Sequence, residues 1–325
     1  IYQAVDGNHK EVFFKEEHFG KEIVLTFRLW SGIEGGGPPR KLAHCYKDAF
    51  ISLLDEATDD FYYLSDMMLG TAKQLSEDRV ERHELLEALE EAFQAIDWTE
   101  PGSDEFYESI QNADIILNTR VDEMEKHAKV LVSCVGHTHI DTAWLWRLKH
   151  AREKASRSFS SVLRLMEEFP EYYFLHTQPQ QYEYIKEDFP EIYEQIKERV
   201  KEGRWEIDGG MWVEADCNIP SGESLVRQFL LGRKFMMEEF GKEPEYLWLP
   251  DVFGYSWALP QILKKSGIDT FMTTKISWNQ YNRMPNDTFW WKGIDGSEVL
   301  THFITTPVHG QDGKGDFDST YNGEI

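Results

Sequence analysis

Cysteine is scarce in this sequence. Cys45, Cys134 and Cys217 are the only three in 325 residues. An odd number at wide spacing excludes a disulfide framework and a Cys-x-x-Cys metal knuckle. Cys134 and Cys217 are expected to be small buried residues, and a reducing cytoplasm is the compartment this usage fits. Positive charge is also short: 34 Lys and Arg against 58 Asp and Glu leave a formal charge of −24. That balance argues against nucleic acid as a partner, because phosphate-backbone binding needs the opposite sign. No apolar run is long enough to span a membrane, and no internal repeat or low-complexity segment is evident. An initiating methionine is absent: the chain begins at Ile1 and ends at Gly323-Glu-Ile325. The expectation is a piece of a longer protein, cut at both ends, so a signal peptide would not be visible.

Aromatic residues, by contrast, are plentiful, with 11 Trp and 14 Tyr. Several cluster around polar motifs, where their faces could stack on sugars or bases, and the acidity disfavours bases. Residues 1–45 read as strands and turns, with a strand-like run at Glu22–Leu29 and a loop at Gly35-Gly-Gly-Pro-Pro39. They are expected to form the C-terminal part of an N-terminal β domain. Residues 46–128 read as a helical linker region. Apolar residues at three- and four-residue spacing mark helices over Asp48–Leu69, Asp78–Ile96 and Ser103–His127. The acidic faces of these helices need no reading beyond solvation. Asn286-Asp-Thr288 fits a glycosylation triplet, a pattern common by chance.

From residue 129 to the end the pattern alternates. Strands are expected at Val130–Val135, Tyr172–His176, Trp205–Asp208, Tyr246–Leu249, Thr270–Thr274, Phe289–Lys292 and Val299–Phe303. Helices are expected at Thr142–Phe169, Gln180–Glu202, Ser221–Phe240 and Trp257–Ser266. Alternation of this kind implies parallel strands with crossover helices. The fold class is therefore α/β: a seven-stranded parallel β/α barrel-like domain, incomplete, or a strongly curved sheet.

Polar residues follow each strand: His137, His139, Asp141 and Trp144; His176, Gln178 and Gln180; Asp208, Trp212, Glu214, Asp216 and Asn218; Asp251; Lys275, Trp278 and Asn279; His302 and His309. All would line one rim. His139 and Asp141 lie two apart on extended chain and can face one point, with His137 beside them. An imidazole and a carboxylate converging there suit a divalent metal. The blander reading of such a His is a cap or packing residue near a helix start. Asp251 closes an apolar strand before a Phe-Gly turn, where it could be a helix N-cap or point into the bowl beside His139 and Asp141. With the His-x-Asp rim present, the site reading is preferred.

The stretches His137-Thr-His-Ile-Asp-Thr-Ala-Trp-Leu-Trp146, Gly209-Gly-Met-Trp-Val-Glu-Ala-Asp-Cys-Asn218 (continuing to Gln228) and Leu249-Pro-Asp-Val-Phe-Gly-Tyr-Ser256 resemble motifs of the retaining α-mannosidases of glycoside hydrolase family 38. They are similar to its cytosolic, vacuolar and bacterial branch. The resemblance is strong over about 130 to 305 and extends to 1–130, where that branch has a β domain and a helical linker. It implies that His139 and Asp141 are zinc ligands, with Co²⁺ as an alternative metal, and that Asp251 is both the catalytic nucleophile and a metal ligand. It further implies that Trp144 stacks near the metal-bound mannose and that Lys275 lies near the sugar. Asp216 is a candidate substrate contact. The family's fourth ligand, a His in a later motif, and its general acid would lie beyond Ile325; His302 and His309 do not stand in that motif.

The function expected on this basis is a retaining exo-α-mannosidase that removes terminal α-linked mannose from oligosaccharides by a metal-assisted double displacement. Two other readings stay open: a metal-dependent carbohydrate deacetylase, and a carbohydrate-binding fragment without catalysis. The fragment alone is expected to be inactive or nearly so. No nucleic-acid or membrane partner is expected, and homo-oligomerisation of the full-length protein is left open.

Overall fold

A computed structural model describes residues 12, 14, 16–26, 50–125, 133–278 and 285–304. The chain divides into two compact units, residues 43–132 and residues 1–42 together with 133–325.

The smaller unit holds three helices, α1 (Glu56–Gln74), α2 (Val80–Gln94) and α3 (Asp104–Glu123). The starts of α1 and α3 are chemically marked. Asp55 accepts the Thr58 N–H at 2.9 Å and Ser103 accepts the Phe106 N–H at 3.1 Å, so each satisfies an otherwise unpaired donor of the first turn. The three apolar stripes meet in one core around Phe61, Met68, Ala88, Ala92, Ile110, Ala113 and Leu117. The expected start at Asp48 lies too early: residues 50–54 are non-helical, and the helix waits for the Asp55 cap.

In the larger unit, a 3-10 turn at Glu16–His18 comes first. The described part of the strand-like run, residues 22–26, forms no strand; residues 27–29, the glycine-proline loop and Cys45 lie outside the described residues. Then follow β1 (Gly136–His137), α4 (Leu148–Glu168), β2 (Phe174–His176), α5 (Pro179–Asp188), α6 (Pro190–Lys201), β3 (Trp205–Ile207) and α7 (Gly222–Phe240). The unit continues through β4 (Tyr246–Leu249), α8 (Leu259–Lys265), β5 (Thr270–Thr273), a 3-10 turn at Lys275–Trp278, β6 (Thr288–Lys292) and β7 (Glu298–Phe303). The seven strands lie in two sheets, ordered β1-β2-β3 and β4-β5-β7-β6. A parallel bridge from Gly209 to Leu247 carries the row from the end of β3 to β4.

Four sequence expectations are corrected here. Not all the strands are parallel, because β6 runs antiparallel to β7. The two are joined by the tight turn 293–297, closed by the Gly293 N–H on Ser297 O at 2.8 Å. A parallel partner would need a long crossover that this spacing cannot hold. The helix expected at Gln180–Glu202 is two helices. Pro190 opens the second, and the residue before a proline is pushed out of the helical region, as Phe189 is (φ −143°, ψ 63°). The helix expected from Thr142 begins at Leu148 instead, where the Arg147 N–H meets His150 Nδ1 at 2.9 Å. A loop therefore separates the His-Asp motif from α4. Of the expected strand Val130–Val135, residues 130–132 lie outside the described residues and 133–135 form no strand.

One core packs α4, α5 and α6 against β2 and β3 through Phe159, Phe174, Tyr182 and Trp205. A second packs α7 and α8 against β4, β5 and β7 through Phe229, Leu247, Leu263 and Phe271. Between them the chain turns at Gly209 (φ 95°) and Gly210 (φ 74°), backbone angles that favour glycine. Gly232 of α7 lies directly against this turn. A Cβ at Gly232 would sit 2.5 Å from Gly210 O and 2.6 Å from Met211 C. Both are backbone atoms and cannot rotate away.

Gly232→Ala therefore pits a gain of about 1 kcal/mol in helix propensity against an overpacking cost of about 1–3 kcal/mol. The cost is expected to win, seen as a lower urea midpoint. A midpoint at or above wild type would show that the turn can yield.

Candidate active site

Following the strands to their C-terminal ends locates the polar cluster. The ends of β1, β2, β3, β4 and β5 deliver His137–Asp141, Thr177–Gln178, Glu214, Asp251 and Lys275. Tertiary hydrogen bonds thread the long loop after β3 into place. The Trp212 N–H reaches Gln228 O at 3.0 Å, the Val213 N–H reaches Gln228 Oε1 at 2.9 Å, and Trp212 Nε1 reaches Gln180 Oε1 at 3.1 Å. Gln178 then acts as a bracket. Its Oε1 accepts the Thr142 hydroxyl at 3.0 Å and the Glu214 N–H at 3.3 Å, while its Nε2 donates to Ile140 O at 2.8 Å.

His139 stands at the centre. Its Nε2 lies 3.1 Å from Asp141 Oδ1 and 3.3 Å from Asp251 Oδ2. Its Nδ1 bonds Glu214 Oε2. Burial alone would push the His139 ring toward neutrality, yet Glu214, Asp141 and Asp251 outweigh it and raise the ring to about 12. Asp251 is shared, since its other oxygen, Oδ1, lies 2.9 Å from Lys275 Nζ. Lys275 is itself buried, with its N–H on Pro250 O at 3.2 Å.

Two residues earlier, His137 has a different environment. Its Nδ1 lies 3.0 Å from Leu175 O, and its Nε2 accepts Trp248 Nε1–H at 3.2 Å. Both ring nitrogens are thus engaged, in the neutral tautomer with the proton on Nδ1. Burial, despite the nearby Glu214, holds the ring below the usual His range.

Two triads have ligand spacing: His139, Asp141 and Asp251, and His137, His139 and Glu214. The second is a poor cation site, because Trp248 occupies His137 Nε2 and Thr177 Oγ1 donates to Glu214 Oε1 at 2.5 Å. The first fits a divalent ion. One imidazole nitrogen and two carboxylates converge, and an attached proton or a metal could each relieve the negative charge gathered there.

The other expected rim residues have partners of their own. Trp144 is 62 % exposed and packs edge-to-face with Trp146 at 5.3 Å. Asp216 Oδ1 accepts the N–H groups of Asn218 and Ile219, each at 2.8 Å, and so shapes its own loop. Asp208 is not on the rim. It is buried beneath it, accepting N–H from Gly209, Glu245 and Tyr246, and burial pushes it up to about 6. His302 pairs with the Thr288 hydroxyl at 2.8 Å. His176 is fully buried in an aromatic cage of Phe159, Phe174 and Tyr182. Neither of its ring nitrogens has a hydrogen-bond partner among the described residues. Cys217 is buried as expected, whereas Cys134 is exposed, since it lies on the unpaired approach to β1. Asn279, His309 and the Trp278 side chain lie outside the described residues.

Residues 129–324 match the Glycosyl hydrolases family 38 N-terminal domain. The chain belongs to this family. It is 51 % identical over 172 residues to alpha-mannosidase G of Dictyostelium discoideum, covering 53 % of this chain and 16 % of that protein. It is 39 % identical over 274 residues to alpha-mannosidase 2C1 of Homo sapiens, covering 84 % and 25 %. Identity to the alpha-mannosidase of Saccharomyces cerevisiae is 49 % over 169 residues, covering 52 % and 16 %. The chain thus spans 16–25 % of the length of these curated relatives.

The roles of Glu214 and Gln178 are those that sequence reading did not supply. Both stand among its rim residues, yet nothing local marks Glu214 as the partner of a histidine 75 positions away.

Burial, with the nearby His137 and His139 adding to it, holds His176 neutral, well below the usual His range. An unfolded His titrates near about 6.5. Below that pH the unfolded chain gains a proton that the folded chain refuses. Stability is therefore full above about 6.5 and falls by about 1.4 kcal/mol per pH unit beneath it. His176→Phe should flatten this acid limb in urea unfolding at pH 7.5, 6.5 and 5.5. Parallel profiles for variant and wild type would mean that His176 takes up a proton in the fold.

Proposed function

We propose that the site is that of a retaining exo-α-mannosidase acting on terminal α-linked mannose of oligosaccharides. The observation that carries this reading is the meeting of Asp141 Oδ1 and Asp251 Oδ2 at one nitrogen of His139, within a family 38 domain whose named relatives are alpha-mannosidases.

In this reading His139, Asp141 and Asp251 hold a divalent metal, zinc or alternatively Co²⁺. The ion supplies electrostatic positioning of sugar hydroxyls beside the nucleophile. Asp251 is the nucleophile. Lys275 at 2.9 Å from its Oδ1 favours the charged carboxylate and fixes its rotamer. Attack at the anomeric carbon forms a glycosyl ester on Asp251, and water then opens it with net retention. The leaving-group oxygen needs a protonated acid. Glu214 is unsuited to that role, because its carboxylate is buried against His139 and Thr177. Trp144 is well exposed for stacking on a sugar face, and Asp216 retains one carboxylate oxygen for a hydroxyl.

The same reading makes residues 129–325 a barrel-like catalytic domain, residues 46–128 a linker and residues 1–45 the end of a β domain. No helix of the described residues is long and apolar enough to cross a membrane. Free thiols at Cys134 and Cys217 suit the proposed cytoplasmic location.

Asp251→Asn in the full-length protein should lower turnover of an aryl α-mannoside by at least about 10³-fold with unchanged circular dichroism. Turnover near wild type would sink the nucleophile assignment. Release of acetate rather than mannose by the wild type would favour the deacetylase reading.

A further inference from the structure

The ligand atoms that the proposed metal would use lie on one side of the His139 ring. The feature that decides how that ring stands lies on the other side. Glu214 Oε2 bonds His139 Nδ1, and the Glu214 side chain is only 3 % exposed. A carboxylate taken this far from water costs several kcal/mol unless it is well paired. Its pairing is elaborate. Oε1 accepts the Thr177 hydroxyl at 2.5 Å, and the residue's own N–H is held on Gln178 Oε1 at 3.3 Å. Gln178 in turn grips Ile140 O at 2.8 Å, the carbonyl between His139 and Asp141. One bracket therefore sets both the backbone of the His-Asp motif and the carboxylate behind the imidazole.

We propose that Glu214 is a positioning residue for metal binding. Its carboxylate takes the Nδ1 proton of His139 as a hydrogen bond, fixes the tautomer, and aims the bare Nε2 at the point shared by Asp141 and Asp251. The inference rests on the metal reading above, but it concerns a residue that reading does not use. A direct ligand role is excluded by side: Glu214 faces Nδ1, whereas Asp141 and Asp251 face Nε2. A purely structural role is hard to reconcile with the choice of group. A buried amide or hydroxyl could brace Thr177 and Gln178 without the cost of burying a charge. What a carboxylate adds is a stronger acceptor for the imidazole N–H, which raises the basicity of the opposite nitrogen. His137 has a backbone carbonyl, Leu175 O, where His139 has the Glu214 carboxylate, and its Nε2 is capped by Trp248.

The test is zinc affinity of the full-length protein, measured by competition with a chromophoric chelator. Glu214→Gln, His139→Ala and the double variant are compared, with circular dichroism and thermal unfolding as fold controls. Glu214→Gln should weaken zinc binding by about 10–100-fold, and mannosidase activity should return at high zinc. In the His139→Ala background the same change should add less than about 2-fold, because the route through the ring is gone. Thr177→Val, which leaves the carboxylate but removes its Oε1 partner, should give a smaller loss and serves if Glu214→Gln does not fold. Wild-type affinity in folded Glu214→Gln, or in Thr177→Val should it be needed, overturns the proposal. So does an equal loss with and without His139, which would mark a general charge effect. A wild type that hydrolyses mannoside and binds no zinc overturns the metal reading along with it. A wild type that binds zinc tightly while Glu214→Gln does so equally overturns the positioning role alone.

Discussion

Three carboxylates around one imidazole are the constraint on which the site is built. Asp141, Asp251 and Glu214 all reach His139, in a chain already carrying a charge of −24. Like charges gathered this closely repel, and with partial burial they repel more strongly than in water. Something cationic must sit among them. In the metal-free chain the proton on His139 and the Lys275 ammonium meet that demand. The same imbalance would favour a divalent ion at this point. His139, Asp141 and Asp251 have the ligand spacing that a cation meeting this demand would use.

Holding such a cluster together falls to the neutral structure around it. Gln178, Thr177 and Trp248 carry no charge, yet each fixes one polar atom of the cluster through a hydrogen bond. They are seated by the two cores, which lock β2 and β3 on one side and β4 and β5 on the other. The Gly209-Gly210 turn, with α7 pressed onto it at Gly232, marks where the chain leaves one sheet and reaches the other. A shift of the loop that follows would move Glu214 and with it the ring of His139.

Much of this was legible in the sequence. β4 begins and ends where its apolar run does, and β2, β3, β5, β6 and β7 deviate by a residue or two at either end. The strand-end rule also picked out Asp251, His139 and Asp141 before any coordinates. What stayed hidden had physical causes. The hairpin of β6 and β7 breaks a parallel expectation that periodicity cannot test, since strand direction is not written in alternation. Residues 142–147 precede the helix, and Trp146 Nε1 donates to Asp141 O at 3.2 Å across this loop. His176 ends β2 and Asp208 follows β3, at the same edge as the rim residues. A shift of one position along a strand reverses which face a side chain meets, and both ended in the interior.

The pair His137 and His139 shows where local reasoning ends. They are the same residue, two positions apart, at the end of the same strand and both substantially buried. Spacing alone offers either to a metal. The difference comes from what meets each ring: Trp248 from β4 donates to His137 Nε2, while Glu214 accepts from His139 Nδ1. A donor at Nε2 consumes the lone pair that an ion would need. An acceptor at Nδ1 leaves that lone pair free and strengthens it. Ligand identity at this site is therefore set by residues that would never touch the ion, on strands and loops more than 70 positions away. His and Asp spacing offers two candidate groups, and the hydrogen bonds behind each ring distinguish which histidine has a nitrogen suited to an ion.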